Sequence, residues 1–64
     1  MYKVKYCLDF IDYDEEGEIK CKTMKDASKT ASSTVRWGKW NGAQGNTSYA
    51  NVYKNGEFVL CFTG

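Results

Sequence analysis

The chain contains no histidine and no proline, and its three cysteines, Cys7, Cys21 and Cys61, include no short-spaced pair. Without histidine the commonest general base is missing, so neither a Cys–His nor a Ser–His pair can be built, and no catalytic residue is assigned. An odd number of cysteines does not make a disulfide framework. With neither His nor a C-x-x-C pair a zinc site is not expected, and the acidic run Asp12-Tyr13-Asp14-Glu15-Glu16-Gly17-Glu18 lacks the spacing of a calcium loop. The sequence therefore points to no metal, no cofactor and no small-molecule substrate. The carboxylates read as a solvated turn. Cys7, between Lys5 and Asp9 on an outward position, reads as a spectator thiol.

Long apolar runs are also missing. Nothing approaches the roughly 18 apolar residues of a membrane span, and the opening MYKVKYCLDF has no apolar stretch of signal-peptide length, so a reduced, cytoplasmic protein is expected. Nine Lys and Arg against eight Asp and Glu leave a formal net charge of +1, which by itself neither favours nor disfavours nucleic acid. The absence of proline marks no linker, and 64 residues make one small domain. Such a domain buries only about 60% of the surface of its unfolded chain, so a partner or unusually good packing is expected to support it.

What the sequence does contain is led by Ser48 to Thr63. Asn55-Gly56 suits the two positive φ angles of a two-residue hairpin turn. With that turn, Tyr53 opposes Phe58, Val52 opposes Val59, and Asn51 opposes Leu60. One face of the hairpin then carries Ala50, Val52, Val59 and Cys61, and the other Tyr49, Tyr53, Phe58, Leu60 and Phe62. A one-residue slip would exchange the faces of the second strand. Both faces are apolar, so the hairpin needs a cover on each side.

Upstream, Tyr2 to Tyr13 alternates with period two, placing Tyr2, Val4, Tyr6, Leu8 and Phe10 on a core face. A turn over 14–17 and a return strand over Glu18 to Met24 would pair Asp9 with Lys22 and Phe10 with Cys21. From Thr23 the period changes: Ala27, Ala31, Thr34 and Val35 form a stripe of small residues, predicting a helix from about Lys25 to Trp37, capped by Thr23 or Asp26 and stopped at Gly38. Rich in Ser and Thr, it depends on packing for its stability. A Gly- and Asn-rich loop with two tryptophans follows. The expected fold is α+β, β-β-α-β-β, a four-stranded antiparallel sheet with one helix on one face.

With one helix for two apolar faces, the uncovered side is the functional candidate. Tyr49, Tyr53, Phe58, Leu60 and Phe62, with Trp40, are the expected partner-binding residues of a non-enzymatic protein-binding module. A second copy of the chain is the favoured partner, since desolvating that face would be worth several kcal/mol at roughly 25 cal/mol per Å², comparable with the stability of so small a domain. A chain of this size without catalytic groups also suits a phage or mobile-element inhibitor of a host enzyme. The alternative is single-stranded nucleic-acid binding, with Lys3, Lys5, Lys20 and Lys22 beside the aromatic rings and the Arg36 to Trp40 segment, including Lys39, as a second contact. For Trp37 the competing reading is structural, a large aromatic closing the core.

Overall fold

Alternating apolar residues, one small-residue helix and a glycine turn assemble into one sheet and one helix in a computed structural model describing residues 1–64. The order is β1 (Tyr2–Asp9), β2 (Asp14–Cys21), α1 (Met24–Trp40), β3 (Tyr49–Lys54) and β4 (Glu57–Thr63). The strands form one antiparallel sheet ordered β2-β1-β3-β4, with β1 and β3 central. The expected α+β architecture is thus the observed one.

The helix begins where Thr23 caps it, accepting the amide of Asp26 at 3.1 Å. It does not stop at Gly38. Gly38 is buried inside the last turns, where a Cβ would stand 2.8 Å from Leu8 Cδ2, so its bare Cα lets the helix reach β1. Termination falls at Gly42, whose φ of +101° provides the left-handed residue. The amide of Ala43 reaches Gly38 O at 2.8 Å and that of Gly42 reaches Lys39 O at 3.3 Å, the two bonds of a Schellman end. Ala27, Ala31 and Val35 meet Val4, Ala50 and Val52 in a core of small and medium side chains.

Two expectations of register are corrected. The first turn is not 14–17 but Phe10 to Tyr13, and the acidic stretch is the start of β2, with Leu8 opposite Glu15 and Lys5 opposite Glu18. The turn is fixed locally: Asp9 Oδ1 accepts the Ile11 amide at 2.9 Å, and the Asp12 amide closes a γ-turn onto Phe10 O at 2.8 Å. The expected Asp9–Lys22 and Phe10–Cys21 pairs are not formed. Because both registers keep the same parity, the inward side chains of β1 are nonetheless as expected.

The second correction concerns β4. Asn55 and Gly56 have φ of 51° and 86°, and Tyr53 opposes Phe58, as the sequence implies. Beyond that pair the register shifts by one, so that Val52 opposes Leu60 and Ala50 opposes Phe62. Val59 is the extra residue of a β-bulge, which reverses the facing of every residue after it. Leu60 and Phe62 therefore pack against the core under the helix, not on the open face, and Cys61 is turned outward.

The loop between α1 and β3 is fastened to the end of β1 by one residue. Asp9 offers its amide to Ser48 Oγ at 3.0 Å and its carbonyl to the Gln44 amide at 2.7 Å, and its Oδ2 accepts Thr47 Oγ1 at 2.7 Å. The Thr47 hydroxyl first, and the Ile11 amide second, hold the Asp9 carboxyl below its ordinary value. A depressed folded pKa stabilises above the unfolded value near pH 4 and ceases to do so as pH falls through the folded one. Thr47→Val should therefore move the Asp9 carboxyl back toward the ordinary range in an NMR titration and reduce the acid sensitivity of the fold below about pH 4. An unchanged Asp9 titration would show that the Thr47 contact does not tune it.

Candidate functional site

The outward face of the sheet follows from the register. Lys3, Lys5, Cys7 and Asp9 of β1 lie beside Lys20, Glu18, Glu16 and Asp14 of β2 on one flank, and beside Tyr53, Asn51 and Tyr49 of β3 on the other. Phe58 and Cys61 of β4 complete it. Tyr53 and Phe58 meet edge to face with centroids 6.0 Å apart, and Lys5 Nζ lies 5.2 Å over the Tyr53 ring. Lys3 and Lys5 both reach Glu18, at 3.5 and 3.7 Å. No element of the chain covers this face.

Of the expected partner-binding residues, Tyr49, Tyr53 and Phe58 are here, whereas Leu60 and Phe62 are inside and Trp40 stands at the end of α1. The expected cations are likewise divided. Lys3, Lys5 and Lys20 share the open face, Lys22 lies beyond the end of β2, and Arg36 and Lys39 line a hollow with Phe62 on the helix side of the sheet. The open face is basic at the Lys3 and Lys20 end and acidic at the Asp14 and Glu16 end. Partial burial first, then the Asp14 and Glu16 carboxylates, push the Cys7 thiol up. The nearby Tyr49 phenol is raised too, by Cys7 first and then by burial and Glu16. A thiol so placed is a poor nucleophile. No three or more Cys, Asp and Glu side chains converge in a way that could hold a metal ion.

A second surface, which the sequence reading did not find, runs along the other side of β2. Between α1 and β2 an open groove of about 340 Å³ is lined by Tyr6, Leu8, Ile19, Ser33, Thr34 and Trp37, with Glu15 at its rim. Gly17 lets the Tyr6 ring lie across β2, because a Cβ there would stand 2.5 Å from the Tyr6 hydroxyl. At the end of the groove Phe10 stacks on Tyr13 at 5.2 Å and meets Trp37 edge-on at 6.2 Å. Trp37 thus borders a groove instead of closing the core, and it is 49% exposed. Trp40, one turn further along the same side of the helix, is 78% exposed. The signal available in the sequence is the cluster Phe10, Ile11 and Tyr13, which a turn over 14–17 absorbs into the first strand.

None of the protein-family models, curated proteins or solved structures compared with this chain matches it. No helix is long and apolar enough to cross a membrane.

Ile11, at the tip of the first turn, is 72% exposed and has φ of 76°. A β-branched residue there is strained, and its side chain buries little in return. Ile11→Gly should stabilise the isolated chain by about 1 kcal/mol, or roughly 4–8 °C in Tm. A lowered Tm would mean that Ile11 packs more than its exposure implies.

Proposed function

We propose that this chain is a non-catalytic protein-binding module whose open sheet face docks against a second copy of itself. One observation carries the reading: of the two Trp, five Tyr and three Phe in the sequence, none belongs to the buried core, which is made of Val4, Leu8, Val35, Val52 and alanines. Aromatic side chains are the usual anchors of protein interfaces. A domain short of apolar area that leaves Tyr13, Trp37, Trp40, Tyr49 and Phe58 exposed is equipped to bury them against something else.

Charge supports a second copy as occupant of the open face. Turned end for end, one copy sets its Lys3 and Lys20 end over the Asp14 and Glu16 end of the other, with Tyr53 and Tyr49 among the contacts between them. The same distribution weighs against nucleic acid, since Asp14, Glu16 and Glu18 repel phosphates along a backbone path and Glu18 already engages two of the three lysines.

Sedimentation equilibrium tests the reading. The wild-type chain should weigh as a dimer at micromolar to millimolar concentrations, and an oligonucleotide should leave that mass unchanged. Phe58→Glu, 59% exposed in the monomer, should give a folded monomer with Tm little altered, whereas Leu60→Asp should unfold the chain because Leu60 packs on the core. A wild-type monomer throughout that range would overturn self-association, and oligonucleotide binding that weakens steeply with salt would establish the nucleic-acid reading in its place.

A further inference from the structure

The open sheet face leaves the α1/β2 groove unexplained. β2 is an edge strand paired only with β1, so one side of its backbone is free. Such an edge is a template for an added strand, and acidic side chains are a common guard against unwanted pairing. Guarding alone does not account for the apolar groove of Tyr6, Leu8, Ile19 and Trp37 that runs beside this edge. Among the β2 acids, only Glu18 is ion-paired, leaving Asp14, Glu15 and Glu16 without a cation.

We infer that this edge and groove bind an extended segment of another protein in which apolar residues alternate with Lys or Arg, added to the sheet beside β2. The chemistry of the occupant is read from β1, the strand that β2 already pairs with. β1 alternates Tyr2, Val4 and Tyr6 toward the helix with Lys3 and Lys5 on the open face, where both lysines meet Glu18. A strand on the free edge repeats that pattern. Its apolar side chains enter the groove over Ile19 and beside Trp37, and its basic side chains lie outward against Glu16 and Asp14. A second copy joined β2 to β2 is disfavoured by like charge, and β4, with Glu57 and no basic residue, lacks the complementary pattern. The inference extends the protein-binding reading to the β2 edge, which shares Asp14 and Glu16 with the open face; Phe58→Glu, a monomer on that reading, presents the edge with those carboxylates free.

The probe is a blocked nine-residue peptide, Tyr-Lys-Val-Lys-Tyr-Lys-Val-Lys-Tyr, with the lysines replaced by glutamates as its control, titrated into the ¹⁵N-labelled chain. Saturable shifts are expected in the amides of Asp14 to Cys21 and in the Trp37 indole, with the β2 amides gaining protection from hydrogen exchange. The glutamate peptide should bind at least ten-fold more weakly. Ile19→Lys, a change at a 36% exposed position, should weaken the lysine peptide at least ten-fold while keeping the wild-type Tm. Phe58→Glu should bind it at least as tightly as the wild type does, which separates this surface from the aromatic part of the open face. The inference is overturned if no saturable shift occurs, if both peptides bind alike, or if the shifts map to Tyr53 and Phe58. A loss of Tm in Ile19→Lys transfers the test to Glu16→Lys, whose unchanged affinity would equally overturn it.

Discussion

The closeness of α1 to the two central strands governs the rest of the structure. Ala27, Ala31 and Gly38 present almost nothing between the helix backbone and the sheet, and Val4, Leu8, Ala50 and Val52 fill what remains. A layer this thin has no room for an aromatic ring, so the rings are displaced to its margins. Tyr2, Tyr6 and Phe62 wall the sides of the core, Tyr53 and Phe58 lie behind the sheet, and Phe10, Tyr13 and Trp37 gather at one end. The exposure of the rings is in this sense a consequence of the core. Small residues on the helix stripe and rings on the outside are two aspects of one packing solution.

The thin core also makes the connections matter more than in a larger domain. Asp9 uses its amide, its carbonyl and both carboxylate oxygens to hold the first turn and the long loop together. Its carboxylate faces Asp14 across the β1–β2 ladder, an unfavourable opposition that the turn toward Thr47 relieves. That end of the sheet is therefore organised by polar contacts, with the strained Ile11 and the Phe10–Tyr13–Trp37 cluster displayed above it.

The element order, the helix, its Thr23 cap and the Asn55-Gly56 turn were legible because each rests on a local rule: period, capping or positive φ. The strand order was not, because the tertiary arrangement of two hairpins carries no local mark. Composition places the first turn at the acidic, glycine-ended stretch, whereas the actual turn depends on Asp9 accepting the Ile11 amide, an Asx contact whose clue in the sequence is weaker than that of Gly17. The bulge at Val59 has no local mark, although the exchange of faces it produces beyond Phe58 is the one-residue slip that the hairpin sequence allows. It moved Leu60 and Phe62 from the candidate interface into the core and left Phe58 behind, dividing an apolar run that read as one face. Gly38 reads as a terminator from sequence because close packing and a helix end both call for glycine, and only the position of Leu8 distinguishes them.

The two edges of the sheet are protected by different means, and the difference bears on what each can bind. On β4 the bulge interrupts the ladder and leaves the half-exposed Val59 at the kink, which spoils the regular spacing an added strand would need. On β2 the ladder is uninterrupted from Asp14 to Cys21, and the protection is charge. Geometry excludes every strand, but charge excludes only strands without a cation in the right place. An acidic, regular edge beside an apolar groove is thus closed to self-pairing through β2 and open to a basic, alternating strand. The selectivity lies in the pattern β1 already displays on the other side of β2.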